Sequence, residues 1–373
     1  MSIWLEEGVN KLVKLTRIQL FWIVATIEIV MAVWLRISPA IAQAKQDAWL
    51  SIFIGGLMGL VITFFVVHLS MLHPNESLAE FSQKLLGRWL GRLAIWPYLT
   101  AWFILAGDVL RTFADFVHLI LLDSTPVWVI MLMMLALMIY MTLVGGISGI
   151  ARFCEIAGPV TIAALIVSFL LNLGNIEWHY MKPFYADSGW QAIVKASYPS
   201  ASFFGESLML LVIVSYLEKP KKAMATSLLS VAVTILFVIA ASVMCLLVFG
   251  PNVSAKLRFP YFMLVRTIDI FNFIQNLDIF VIFIWVFGVF AKLSFYLFLT
   301  CSEMARSTRI KDWRKLVWFS APMIFVIAAI IPNEDSIELL QKLWRLIVIP
   351  VCAIGVPLIL WIVTLVKKEP RHA

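Results

Sequence analysis

Charge is what this chain has least of. Only 14% of its 373 residues are Asp, Glu, Lys or Arg, against 62% that are hydrophobic. Soluble domains carry about a quarter charged residues, so an ordinary soluble globule is excluded. The polar connections between apolar runs are short, which leaves no room for a soluble domain of any size. Cysteine is also scarce: Cys154, Cys245, Cys301 and Cys352 fall in or beside different apolar runs. That spacing suggests neither a disulfide framework nor a metal site. The five histidines are scattered, mostly near the ends of runs, and no glycine-rich loop of the phosphate-cradling kind is present. Nothing points to an enzyme, a metal or a cofactor. Met1–Lys14 is polar and mildly basic and the first apolar run is of full span length, so no cleavable signal is read.

What is there is a series of apolar runs, each long enough to cross a bilayer. We read ten transmembrane helices, at roughly 18–43, 48–72, 94–121, 126–143, 153–174, 197–217, 225–249, 278–302, 316–332 and 345–366. An even number puts both termini on one side. The net charge of +7 is a matter of topology rather than nucleic-acid affinity. Lys84, Arg88, Arg92, Lys219, Lys221, Lys222, Arg306 and Arg309 all fall on the side of the N-terminus, as do the basic residues of both tails. The opposite side holds the smaller set Lys45, Lys182, Lys195, Lys256, Arg258, Arg266, Lys342 and Arg345. The positive-inside rule then makes both termini cytoplasmic. The tryptophans sit mostly near span ends, as an interfacial belt.

Ten spans divide as five plus five, within one domain: a first repeat over about 17–175 and a second over about 196–366. With an odd number in the first half, the second starts from the other side, so any repeat is inverted. The leading span of each half carries an interruption, Arg36-Ile37-Ser38-Pro39 in span 1 and Phe204-Gly205-Glu206 in span 6. Paired interruptions of this kind point to a binding site at the membrane midplane. Two connections read as surface helices. Ser77-Leu78-Ala79-Glu80 is a capping-box pattern opening an amphipathic stretch on the inner face. Phe259–Leu277 reads either as a lid over an outer cavity or as a plain interfacial helix.

The few charges inside the spans carry the functional information. Glu206 sits near the middle of the apolar stretch Ala196–Leu217. A carboxylate at that depth costs several kcal/mol unless it is paired, protonated or facing water, and Gly205 loosens the helix beside it. Lys292 lies mid-span in Phe290-Ala291-Lys292-Leu293-Ser294. It reads as the partner of Glu206, if spans 6 and 8 share a cavity, or as a lysine along a wet crevice. Glu28 and Arg36 share span 1, about 80° apart in helical projection but about 12 Å apart in rise, so each needs its own partner. Arg36 either binds a substrate carboxylate or holds opened backbone carbonyls. Asp108, Arg111 and Asp115 share a face of span 3 and read as a structural ion cluster in which Arg111 reaches both acids.

A set of short motifs, in order, carries a resemblance. Ile37–Ile41 and Ala44–Trp49 follow the first break, Leu121–Pro126 follows span 3, and Gly145-Gly146-Ile147 ends span 4. Phe203–Glu206 marks span 6, and Phe259-Pro260 through Asp278 leads to Trp285 in span 8. The chain resembles, over nearly its whole length, the spore-germination permease family. These are the B subunits of nutrient germinant receptors, in the amino acid–polyamine–organocation transporter superfamily. The resemblance implies a leucine-transporter-type fold with broken helices 1 and 6. It also implies a small nutrient, typically an amino acid, bound between spans 1, 6 and 8. The implied setting is the spore inner membrane, with a larger A subunit and a lipoprotein C subunit as partners besides membrane lipid. On that basis Ala32, Arg36, Ser38, Ser202, Phe203, Phe204, Gly205 and Glu206 are the candidate ligand-binding residues, and Glu206 with Lys292 the candidate coupling or ion pair. Lys292 then has a further reading, as a fixed charge standing where related transporters bind sodium. One departure is notable: where many relatives carry small, glycine-containing sequence at the first break, this chain has Met31–Arg36, including Trp34.

The leading expectation is therefore a nutrient-sensing receptor subunit. Its alternatives are a stand-alone proton-coupled amino-acid transporter, and a scaffold subunit whose pocket binds nothing.

Overall fold

The computed structural model describes residues 14–35, 37–182, 189–269, 277–331, 339–340 and 342–368. The described chain is almost wholly helical. Helix α1 (Arg17–Leu35) and α2 (Ile37–Ala44) lie on either side of Arg36, which is outside the described residues. Then come α3 (Ala48–Leu72), the short α4 (Leu78–Leu86), α5 (Arg88–Ile120) and the long α6 (Val127–Leu171). The second half holds α7 (Gly189–Phe204), α8 (Leu210–Ile213), α9 (Ala223–Ser254), α10 (Pro260–Arg266), α11 (Asp278–Thr308) and α12 (Arg314–Ile330). A π-helical stretch over Trp344–Val348 and Pro350–Gly355 leads into α13 (Val356–Lys368).

Eight described segments are long and apolar enough to cross a membrane, rather than the ten expected. The difference has two sources. The expected spans 4 and 5 run together as α6, which turns at Gly146 with φ 52° and ψ −155°. That is backbone glycine reaches without a Cβ penalty, so 127–145 and 147–171 are separate helices in direction. Helix α12, in the place of span 9, has only 17 residues. The leading span of the second half changes from α-helix to a 3-10 turn at Gly205, where the sequence indicates. In the first half, Ile37, Ser38 and Pro39 are helical and Arg36 lies outside the described residues.

Burial explains the arrangement. From Ile23 to Trp34 every residue of α1 is buried. A helix apolar on all faces belongs in the centre of a bundle, and α1 packs against α6, α9 and α11. Helix α3 lies against α7 and α9. It approaches them through small residues, as membrane helices do where no hydrophobic force separates lipid from protein. A Cβ at Gly55 would stand 2.6 Å from the Ser197 carbonyl, and one at Gly59 would stand 2.3 Å from the Phe204 Cβ. The register is increasing on both sides, so α3 and α7 run parallel.

Both ends of the bundle are closed. At one, Trp34 stacks on Trp285 (5.1 Å between centroids, 12° between planes) and meets Phe116 and Tyr261 edge-on. Phe116 in turn packs on Phe259 and Phe262. Helix α10 is thus seated on the end of α1, with Tyr261, Phe262, Leu264 and Val265 buried; the rest of the expected lid, 270–276, lies outside the described residues. At the other end Leu15 pairs its backbone with Tyr216 and Glu218 (2.7 and 3.0 Å). There the Arg306 guanidinium donates to the Tyr216 hydroxyl and to Glu80, each at 2.8 Å. Glu303, fully buried, accepts the Ala79 amide (2.8 Å) at the N-terminus of α4, where the helix dipole favours an anion. The capping-box glutamate is in place, since the Ser77 amide donates to Glu80 Oε2 at 2.8 Å.

Substituting Gly59→Ala forces α3 away from Phe204. The expected loss is about 1–3 kcal/mol, read as a lower melting temperature in detergent. Gly149→Ala, whose added Cβ meets its nearest neighbour at an ordinary 3.8 Å, is expected to leave the melting temperature unchanged.

Candidate functional site

Helix α7 stops being α-helical at Phe204, and a 3-10 turn covers Gly205–Met209 before α8 resumes. Two local features account for this. Pro199 removes a backbone donor inside α7, and Gly205 adds no side-chain restraint where the chain tightens. A 3-10 stretch inside a long helix is a marker of a functional hinge. The Ser207 hydroxyl bonds the Phe204 carbonyl at 2.8 Å and so occupies one of the carbonyls the break exposes.

Glu206 sits in that turn, 5% exposed. Lys292, on α11 and fully buried, places its Nζ 2.6 Å from Glu206 Oε2. The same carboxylate oxygen accepts the Tyr296 hydroxyl at 3.0 Å. The ammonium also donates to the Ile27 carbonyl of α1 at 3.2 Å, and lies over the rings of Phe203 (5.5 Å) and Tyr296 (5.8 Å). Cation–π contact of this kind is strengthened where water is excluded. One charged atom thus ties α1, the α7 break and α11 together.

The register of α1 against α11 depends on a row of α11 residues. Trp285 donates through Nε1 to the Val30 carbonyl at 3.1 Å. Gly288 lets Val30 come close, since a Cβ there would stand 2.1 Å from Val30 Cγ2. Lys292 then reaches Ile27. Positions 285, 288 and 292 share one helical face, and so do the two α1 carbonyls they engage.

A second buried acid lies close by. Glu28 is fully buried, and its Oε1 lies 3.3 Å from the Ser207 Oγ, which shares its one proton between this oxygen and the Phe204 carbonyl and is 2.7 Å from the Thr63 hydroxyl. Glu28 Oε2 has no hydrogen-bond partner among the described residues. Two carboxyl groups therefore share a neighbourhood with one ammonium. Among the described residues, no group of three or more His, Cys, Asp or Glu is arranged to hold a metal ion.

A cavity of about 50 Å³ opens on the other side of Glu206. Its walls are Pro39, Ile104, Leu105, Pro199, Phe203 and Trp344, and its polar lining is Asp108, Ser202, Glu206 and Arg345. It is room for a few water molecules. Two acids and one guanidinium therefore face a small, mostly apolar space beside the helix break.

The expected site residues divide accordingly. Ser202, Phe203 and Glu206 line the cavity. Phe204 and Gly205 are buried behind it, with Phe204 against α3. Ala32 is buried in α1. Ser38 faces elsewhere, because its hydroxyl donates to the Leu257 carbonyl at 2.6 Å. Arg36 lies outside the described residues. In the cluster on α5, Arg111 Nε bonds both oxygens of Asp115 (2.9 and 3.0 Å), and Arg258 approaches the same acid at 4.0 Å. Asp108 lines the cavity with Glu206.

Sequence reasoning missed Tyr296, Ser207, Thr63 and Arg345. Tyr296 had a signal, since it stands four residues after Lys292 on the same helical face. Arg345 had none, because its position at the head of the last span says nothing about which helices it meets.

Residues 14–337 match the model of a family described as spore germination protein. Spore germination protein KB of Bacillus subtilis (strain 168) is 24% identical over 352 residues, covering 91% of this chain and 91% of that protein. Among solved structures, a substrate-bound, outward-open Na+-coupled sialic acid symporter matches with a TM-score of 0.67 at 13% identity. That match covers 91% of this chain and 78% of the symporter. MhsT in complex with L-phenylalanine matches with a TM-score of 0.66 at 14% identity, covering 94% and 97%. The chain belongs to the spore germination protein family. It is a multi-pass integral membrane protein with the fold of leucine-transporter-type transporters.

Removing one member of a buried ion pair leaves the other uncompensated. Lys292→Met is expected to destabilise by about 3–5 kcal/mol. The double variant Lys292→Met/Glu206→Gln is expected to recover part of that loss, since no buried anion is then stranded. Thermal unfolding of the two purified proteins in detergent checks this.

Proposed function

We propose that this chain is the nutrient-sensing membrane subunit of a germinant receptor, and that it binds a small amino acid at the break after α7. The observation that carries the reading is the cavity that Asp108 and Glu206 share with Arg345. Opposite charges around a small apolar-walled space match a zwitterion. The amino acid's ammonium faces Glu206 and Asp108, its carboxylate faces Arg345, and Phe203 packs on its carbon skeleton. The L-phenylalanine bound to MhsT, a protein of like fold, supports the ligand class.

The cavity as it stands is too small for most amino acids, so binding draws the Trp344–Val348 stretch away from α5 and α7. A ligand shifts the population of such an arrangement by as much as its affinity for the two states differs. In the receptor reading, that arrangement is what the A and C subunits detect in the spore inner membrane. Lys292, held by the break on one side and by α1 on the other, transmits movement of the break to α1.

The symporters among the structural relatives favour a second reading, in which the chain moves an amino acid by itself and Glu206 or Lys292 carries a coupling proton. Counterflow of a labelled amino-acid mixture in proteoliposomes separates the two. The sensor reading expects no flux from folded protein, whereas flux abolished by Glu206→Gln would establish the transporter.

Ligand binding itself is tested by melting the purified protein across a panel of amino acids. A saturable rise in melting temperature is expected with at least one of them. Asp108→Asn and Glu206→Gln are each expected to reduce that rise by at least tenfold in apparent affinity, measured from each variant's own baseline. An undiminished response in both variants would refute the placement of the ammonium.

A further inference from the structure

Four buried hydrogen-bond contacts join α1, α3 and the break after α7. Ser207 Oγ lies 2.8 Å from the Phe204 carbonyl, 2.7 Å from Thr63 Oγ1 and 3.3 Å from Glu28 Oε1. Thr63 Oγ1 lies 2.8 Å from the Gly59 carbonyl. A carbonyl only accepts, and each hydroxyl has one proton to give. With Glu28 ionised, the two hydroxyl protons serve all four contacts, and Glu28 competes with Phe204 for the one on Ser207. A protonated Glu28 supplies a third proton. It then donates from Oε1 to Ser207 Oγ, Ser207 donates to the Phe204 carbonyl, and Thr63 donates to Ser207. The remaining acceptor, the Gly59 carbonyl, lies inside α3 and has a helical amide of its own.

Charge places the proton on the same group. Glu28, Glu206 and Lys292 are two acids with one ammonium, all buried, and Glu206 and Lys292 both act on Glu28 by charge. Two carboxylates sharing one site away from water strongly disfavour each other. The donors decide which acid stays ionised. Glu206 Oε2 accepts both the Lys292 ammonium and the Tyr296 hydroxyl. Glu28 Oε2 has no hydrogen-bond partner among the described residues. An oxygen left unpartnered costs less on a neutral carboxyl than on a carboxylate. The other packed elements do not alter this count among the described residues. Helix α9 carries no Asp, Glu, Lys, Arg or His. On α6, Tyr140 and Arg152 are exposed, Cys154 meets Thr26, and Glu155 accepts Gln19, more than two turns along α1 from Glu28. His68 of α3 stacks on the exposed Phe64. Lys195 and Tyr198 of α7 are exposed, and Tyr261 and Arg266 of α10 lie at the Trp34 end.

We propose that Glu28 is a proton-binding site, and that the proton it holds latches α1 to the break after α7 through Ser207. Movement of the break away from α1 takes Ser207 Oγ from Glu28 and admits water. The proton then leaves to water, and a carboxylate remains. The reverse movement takes the proton up again. Protonation of Glu28 therefore favours the arrangement described here, by as much as the two arrangements differ in their hold on the proton. A metal cation is the poorer occupant, because Ser207 and Thr63 are in direct hydrogen bond at 2.7 Å and leave no opening between their oxygens.

This inference stands apart from the proposed ligand. Glu28 is not among the residues lining the cavity at Glu206, and its protonation is measured with no amino acid present. In the transporter reading, it makes Glu28 the carrier of the coupling proton in place of Glu206 or Lys292. In the sensor reading, it makes the position of the break depend on pH.

The experiment is infrared spectroscopy of the purified full-length chain in detergent at neutral pH, with isotope-labelled glutamate to identify the carbonyl stretch of a protonated carboxyl. Wild type minus Glu28→Gln is expected to show one such band. Ser207→Ala keeps the acid and removes its acceptor, so the band is expected to persist and to move to higher frequency. The difference between wild type and Ser207→Ala carries the test by itself if Glu28→Gln does not fold. Thermal unfolding gives a second readout. The unfolded acid ionises in neutral water, so unfolding of the wild type releases a proton that Glu28→Gln does not hold. From about pH 6 to about pH 8 the folded-to-unfolded ratio of the wild type is expected to fall relative to the variant, by about tenfold per pH unit. No band in the difference spectrum, a band unmoved in Ser207→Ala, or the same pH dependence in both proteins would each overturn the proposal. Stabilisation by sodium chloride over choline chloride that Glu28→Gln abolishes would overturn it too, by giving the site to a metal cation.

Discussion

The ammonium of Lys292 is the constraint around which the bundle is organised. It is buried, so its charge has to be met on the spot. The Glu206 carboxylate, the Ile27 carbonyl and two aromatic faces meet it. These groups come from α1, from the break after α7 and from α11 itself. Apolar helices in a membrane gain little by choosing one neighbour over another, since lipid tails are equally apolar. A charged group with few acceptable surroundings supplies the missing specificity. The close approach at Gly288 and the Trp285–Val30 bond repeat the lock one and two turns away, respectively.

That lock sits between two closures of different chemistry. The end at Trp34 is shut mainly by packed aromatic rings from α1, α5, α10 and α11, with the Arg258–Asp115 and Arg266–Asp278 pairs at its margin. The end at Tyr216 is shut by hydrogen bonds and ion pairs, among them a fully buried Glu303 at the start of α4. Opening that end exposes charges that are now satisfied inside. The two ends therefore respond to different influences: the aromatic one to steric displacement, the polar one to water and competing charge. Between them, α1 is the element gripped from both sides.

The wall formed by the π-helical stretch before α13 gives the helix break a link to the bilayer. Ile349 packs on Gly205, and Arg345 borders both the small cavity and a larger recess on the outside of the bundle. A π-helical run is a frequent companion of functional sites. Its irregular bonds hold it less firmly than an α-helix, which suits a wall that has to yield.

Much of this protein was legible in its sequence. Apolar runs of bilayer length allow only helices, since unsatisfied backbone groups are not tolerated in lipid. The interruption of the sixth span was visible as Gly205-Glu206, and Glu206 and Lys292 stood out because ionised groups are rare in such runs. Local chemistry fixes these features, and sequence records local chemistry. Tertiary structure decided the rest. Whether Glu206 meets Lys292, whether Asp108 lines a cavity with Glu206, and whether Ser38 faces a ligand or the Leu257 carbonyl all depend on which helices lie side by side. The count of spans was undecided for a related reason, because Gly146 bends one apolar segment into two directions without breaking its hydropathy. Periodicity reports which face of a helix is buried. It does not report against what, because that depends on distances in space between residues far apart in the chain.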